Sequence, residues 1–349
     1  MAVGGPSTLA LRALGLGDLL VAVPALRGLR SARPGSRLVL AAPAALAPLA
    51  ALTGAVDEVV PTAGPHVPPP VDARPALAVN LHGRGPQSHR VLLALRPAEL
   101  WAYTHPAVPE VDGPEWTEGG HEAARWCRLL AAYGVAADPA DLDLAVPSRP
   151  SPAPGAVVVH PGAAYGSRRW PADRYARVAA ALRRAGHRVV VTGGGDERPL
   201  AVSVAARAGL DPDAVLAGRT DLAGLAGVVA GARLVVCGDT GVGHLATAYR
   251  TPSVLLFGPS PPERWGPPPD RAEHVVLWRA TGPGEPFADR PGPALLALRP
   301  ADVLAAAAAL LEREPQGVPC RSSAARADAR TPSASIETER RPPGAAAAS

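Results

Sequence analysis

The chain contains no lysine, and all 35 of its basic side chains are arginine. Any task that needs a fixed cation therefore falls to a guanidinium. Aromatic residues make up only 4% of the sequence. No arginine-rich stripe interleaved with aromatics occurs, which removes the usual footprint of a nucleic-acid binder. Cysteine is scarce. Cys127, Cys237 and Cys320 lie far apart and form no C-x-x-C pair, which excludes a disulfide framework and suits a reducing compartment. Apolar runs are broken by charge, glycine or proline before 18 residues, so no membrane span is expected. The N-terminus lacks a basic region followed by an apolar core, so no signal peptide is expected. H-E-x-x-H, P-loop and G-x-S-x-G patterns are absent, and neither a metal nor a cofactor is expected. The net charge is +4, and the five arginines of residues 315–349, set against Asp328, Glu337 and Glu339, supply +2 of it. What remains is weakly basic. A cytoplasmic monomer is expected, with no nucleic-acid partner and at most peripheral contact with the anionic inner face of the membrane.

What the sequence does contain is alternation. Its 349 residues, 47% of them hydrophobic, are enough for two globular domains. Strand-like runs at 8–14, 37–42, 57–61 and 76–81 alternate with helix-length segments at 17–32 and 121–134. After the Pro/Ser-rich stretch "PSRPSPAPG" the alternation restarts with "AVVVHPG", "HRVVVTGG", "ARLVVCGD" and "PSVLLFGP", and it closes on a helix at 299–314. This order predicts parallel sheets with helices on both faces. The expected layout is an N-terminal domain over 1–146, a linker over 147–155, a C-terminal domain over 156–314 and a disordered tail over 315–349. Ligands of such sheets bind at the carboxyl ends of the strands.

Several strand-to-helix turns carry polar residues. In "CGDTGVGHLATA", Asp239 and Thr240 close a strand, Gly241 and Gly243 leave no side chain to block an anion, and His244 falls on the first helical turn. A helix N-terminus with free N–H groups favours a phosphate there, while capping by Asp239 or Thr240 accounts equally for the first two. In "GGGDE", Glu197 either accepts from nucleoside hydroxyls or is a helix-start acid favoured by the dipole. "HPGAAYGSRRWP" places Arg168 and Arg169 at a strand end, where guanidiniums bind diphosphate. In "ALGLGDLL" the third glycine of a dinucleotide fingerprint is replaced by Leu20, which argues against a nicotinamide or flavin site. Asp18 is left as a general base or a helix cap. Asp141 and Asp143 in "DLD" read as a solvated strand edge rather than a metal site.

Taken together, "GLGDLLVAVPAL", "NLHGRGPQSH", "HPGAAYGSRRWP", "GGGDE" and "DTGVGHLA" resemble the glycosyltransferase family 9 proteins over nearly all of residues 8–314. The resemblance implies a GT-B fold, two Rossmann-like doubly wound parallel-sheet domains facing a central cleft. It implies inverting, metal-independent transfer of a heptose or related sugar from a nucleotide diphosphate donor, ADP-linked by preference, to a glycan, glycolipid or small-molecule hydroxyl. Carried over by motif, Asp18 is the base, and Arg168, Glu197, Asp239, Thr240, Gly241, Gly243 and His244 bind the donor. Asn80, His82 and Arg84 fall on the acceptor side. Ala163 and Ala164 stand where known heptosyltransferases carry hydroxyl residues, so those contacts pass to backbone. The alternatives are a nucleotide-sugar epimerase of the same fold and a non-catalytic nucleotide-sugar-binding protein.

Overall fold

The computed structural model describes residues 7–71, 73–279 and 284–313. The expected tail at 315–349 lies outside them. Among the described residues, ten strands form two parallel sheets of five. The first holds β1 (Ser7–Leu11), β2 (Arg37–Ala42), β3 (Glu58–Pro61), β4 (Leu77–Asn80) and β5 (Glu99–Trp101) in the order β3-β2-β1-β4-β5. The second holds β6 (Val157–His160), β7 (Val189–Val191), β8 (Leu234–Gly238), β9 (Ser253–Leu256) and β10 (His274–Leu277) in the order β10-β9-β8-β6-β7. β6, β7 and β8 are largely apolar, with His160 closing β6, and every residue is buried, as in strands covered on both faces.

The helices are α1 (Leu16–Ala32), α2 (Ala47–Leu52), α3 (Gln87–Ala94), α4 (Glu122–Ala132), α5 (Ala172–Arg184), α6 (Arg198–Ala208), α7 (Leu222–Ala230), α8 (Gly241–Ala248), α9 (Pro262–Trp265), α10 (Pro293–Leu296) and α11 (Pro300–Leu311). α1 is apolar nearly all round, with Leu19 through Leu26 buried, because it packs between the first sheet, α4 and α8. That enclosure carries the helix past Pro24. One apolar cluster runs from Leu19, Val23 and Leu26 of α1 to Val242 and Leu245 of α8, so the two sheets share a core.

The strand order places the site. In the first sheet the direction of winding reverses between β1 and β4, which pair with Leu11 opposite Asn80. In the second it reverses between β6 and β8, with His160 opposite Cys237. A crevice opens outside the carboxyl ends at each such switch point. Asp18 and His82 follow β1 and β4, while Arg168 and Asp239 follow β6 and β8.

Candidate functional site

Helix N-termini from the two sheets meet at these switch points. A Cβ on Gly17 of α1 would lie 2.7 Å from the His244 ring, and one on Gly241 of α8 would lie 2.7 Å from Leu16. Glycine at both positions is what lets the first turns of α1 and α8 touch. The first turn of α4 arrives beside them, where His121 Nε2 donates to the Gly266 carbonyl at 2.9 Å and joins the first half of the chain to the second. Each N-terminus carries unpaired N–H groups and positive dipole character, so their convergence favours an anion.

On the second-sheet side, the Thr240 hydroxyl caps α8 by accepting from Val242 N at 3.3 Å. The capping role considered from sequence thus falls to Thr240 and leaves Asp239 free. Asp239 is 6% exposed, and its carboxyl is raised by burial, with Arg168 opposing that rise. Arg168 Nη1 lies 3.6 Å from Asp239 Oδ2, and Arg168 Nε has no hydrogen-bond partner among the described residues. Arg169 turns away and donates to the Ala163 carbonyl at 2.8 Å. His244 stands edge-on to Trp265 at 6.1 Å, and burial pushes it down to about 4, so it is a neutral imidazole at pH 7. Asp239, Thr240, His244 and Trp265 line a cavity of about 10 Å³, room for about one water. A much larger recess of about 790 Å³ lies at the start of β7, on the edge of the sheet opposite these residues.

Gly243 lines the small cavity with Asp239 and His244, and it also packs α8 onto the sheet, where a Cβ would lie 3.2 Å from Leu255. Glu197 begins α6. Its Oε2 accepts from Gly194 N at 2.8 Å and lies 3.9 Å from His160 Nε2. Its carboxylate rests directly on Gly162, where a Cβ would fall 2.1 Å from Oε1.

On the first-sheet side, Asp18 occupies the third position of α1. Oδ2 accepts from Gly15 N at 3.2 Å, and Oδ1 accepts from Arg12 Nη2 at 3.1 Å, with the side chain 28% exposed. It is therefore a cap and also a cleft-facing carboxylate paired to a cation. His82 is half-buried and pushed down to about 4 by burial, with Arg12 acting the same way, and its Nδ1 has no partner among the described residues. Arg84 is exposed and lies 3.7 Å from Glu118. Asn80 is fully buried. Its amide donates to Gly83 O and Ser88 Oγ, each at 3.0 Å, and its oxygen accepts from His82 N, so it shapes the loop and offers nothing to a ligand.

The "DLD" acids are not a solvated edge. Asp141 accepts from Arg27 at 2.6 Å, and Asp143 accepts from Arg271 at 2.8 Å and from Arg250 at 3.2 Å. Three guanidiniums occupy these carboxylates. Sequence reading also passed over Arg12, His121, Glu122 and Trp265. His121 and Glu122 open a helix in the sequence, yet nothing in the local pattern says that its N-terminus reaches the cleft.

Residues 135–285 match the model of glycosyltransferase family 9 (heptosyltransferase). The lipopolysaccharide heptosyltransferase 1 of Pseudomonas aeruginosa is 41% identical over 111 residues, covering 32% of this chain and 30% of that protein. The lipooligosaccharide heptosyltransferase 2 of Haemophilus influenzae is 32% identical over 123 residues, covering 34% of this chain and 35% of the relative. The matched part thus spans about a third of the length of these curated relatives. The solved structure of E. coli ADP-heptose LPS heptosyltransferase II superimposes with a TM-score of 0.71 at 21% identity, covering 87% of this chain and 98% of that one. Residues 135–285 are therefore similar in sequence to glycosyltransferase family 9, and the chain as a whole has the two-sheet GT-B fold of solved heptosyltransferases.

Proposed function

We propose that the protein is an inverting glycosyltransferase that moves a heptose or related sugar from a nucleotide diphosphate donor to a hydroxyl acceptor. The observation that carries the reading is the meeting of α1 and α8 N-termini, with Arg168 and Asp239 on one side and the Asp18 carboxylate on the other. In this reading residues 156–314 hold the donor and residues 1–146 the acceptor. The diphosphate lies against the N–H groups of α8, with Arg168 as its cation. His244, neutral, donates or accepts at the sugar or phosphate oxygens. The acceptor hydroxyl attacks the anomeric carbon as the bond from that carbon to the diphosphate oxygen breaks. The electron pair leaves on the diphosphate, the hydroxyl proton passes to Asp18, and attack from the opposite face inverts the centre. The two helix N-termini and Arg168 stabilise the charge on the leaving group, a task given to a divalent ion in other transferases. A solved E. coli heptosyltransferase carries ADP, which supports adenine as the base here. Arg84 and His82 face a glycan or glycolipid acceptor, and the weakly basic surface suits peripheral work at the membrane.

Incubation of the chain with a panel of nucleotide sugars, followed by mass spectrometry, tests the reading. Release of ADP from ADP-heptose with transfer or hydrolysis of the sugar is expected. Conversion of the sugar nucleotide into an isomer without loss of the nucleotide would make the protein an epimerase instead.

The placement of Glu197 gives a sharper check. Gly162→Ala would displace its carboxylate and should weaken ADP binding by roughly tenfold, the scale of one charge-assisted hydrogen bond. Gly195→Ala, where nothing lies within 4 Å of the new methyl group, should leave binding unchanged. Equal effects of the two would remove Glu197 from the donor pocket.

A further inference from the structure

Asp18 does not have Arg12 to itself. Arg12 Nη2 lies 3.1 Å from Asp18 Oδ1 and 3.6 Å from Glu122 Oε1, and Glu122 Oε2 accepts from Arg125 Nε at 3.0 Å. Both guanidiniums are 1% exposed. Arg12 lies over the Trp126 ring at 4.8 Å and Arg125 over the Trp116 ring at 4.1 Å, and the two indoles meet edge-on at 6.2 Å. Further N–H groups of the two guanidiniums donate to the carbonyls of Asp18, Leu81, Thr117 and Gly119. A line of alternating charge, carboxylate then guanidinium twice over, thus runs from the cleft into the first half of the chain. Asp18 is its most exposed member, at 28% against 14% for Glu122.

We propose that Glu122 is a positioning residue for the transfer reaction: by sharing the Arg12 guanidinium with Asp18 it keeps that carboxylate aimed into the cleft and able to take up a proton. The inference rests on the reading of Asp18 as the base. With all four groups ionised the line is neutral. When Asp18 accepts the acceptor proton, the line carries one positive charge. Without the Glu122 charge the same step goes from one positive charge to two, next to a guanidinium that is itself buried. Glu122 therefore makes Asp18 a better base without touching substrate. The other titratable groups facing this point do not compete. His82, beyond β4, and His244, on α8, are held neutral by burial. His121, the N-cap of α4, has both ring nitrogens engaged, accepting from Ala123 N at Nδ1 and donating to Gly266 O from Nε2. Arg168, across the cleft, is engaged by Asp239.

The test is a titration of aspartate carboxyl carbons by NMR in the full chain, with the Asp18 signal assigned by its loss in Asp18→Asn. In Glu122→Gln, which removes a neighbouring negative charge, the Asp18 signal should titrate at a lower pH than in the parent. In Glu122→Asp, which withdraws the charge from Arg12 by one methylene, the signal should move the same way by less, so the sign is readable even if the glutamine variant folds poorly. Turnover of ADP-heptose in Glu122→Gln should fall about tenfold, with KM for the donor unchanged. An unmoved Asp18 titration in both variants, with only the melting temperature lowered, would make Glu122 a structural partner of the arginines and overturn the inference. Failure of the base reading looks different. Asp18→Asn would then turn over like the parent, whatever the Glu122 variants do to the titration.

Discussion

Asp18→Asn should reduce sugar transfer by about 100-fold or more while leaving ADP affinity unchanged. The first half follows from the usual contribution of a positioned general base. The second follows from the proposed donor site, which lies at the carboxyl ends of β6, β7 and β8 and not on the Asp18 side. The substitution also tests the role of Asp18 in capping. Asparagine keeps an oxygen for Gly15 N but removes the charge opposite Arg12. Arg12 retains Glu122 and the carbonyls of Leu81 and Asp18, so the fold should lose about 1–2 kcal/mol in urea unfolding. Near-normal turnover with that stability loss would reduce Asp18 to a cap. His82 and His244 would be poor replacements, because burial pushes both down to about 4.

Arg168→Met should weaken ADP binding by roughly 10- to 100-fold, the range for losing charge-assisted hydrogen bonds to a phosphate. Methionine keeps the apolar stem beside Tyr165, over whose ring the guanidinium lies at 5.9 Å. It also leaves the buried Asp239 without the cation that opposes the effect of its burial. An ionised, unpaired Asp239 destabilises the folded state, and protonation relieves it. The stability gap between parent and variant should therefore narrow as pH falls, a trend that urea midpoints at pH 8 and pH 5 would reveal. Unaltered ADP affinity in this variant would move the diphosphate away from α8.

The fold was largely legible in the sequence because its strands are fully buried and its turns carry glycine. "AVVVHPG" and "ARLVVCGD" announce central parallel strands by unbroken apolar runs, and the proline of α1 did not obscure a helix enclosed on all sides. The short edge strands β5 and β10, Glu99–Trp101 and His274–Leu277, were missed. Around the candidate site, what could be read was position: Asp18, Arg168, Glu197, Asp239, Thr240 and His244 all lie in strand-to-helix turns. Roles that depend on what lies opposite were not legible. Gly243 could be singled out as a turn glycine, but its packing against Leu255 could not. Asn80 looked available, but its amide is spent on its own loop. Asp141 and Asp143 looked solvated because their partners, Arg27, Arg250 and Arg271, are distant in sequence. Arg12 and Glu122 gave no signal at all, since long-range charge pairing leaves no period.

The central claim is that helix N-termini and arginine, without a divalent ion, hold a nucleoside diphosphate between the two sheets. Calorimetric titration of ADP into the full chain, once in EDTA and once in Mg²⁺, tests it most directly. The account predicts saturable one-site binding of similar affinity in both buffers, and loss of that binding in Arg168→Met. Binding that requires Mg²⁺, or that survives intact in the variant, would contradict it.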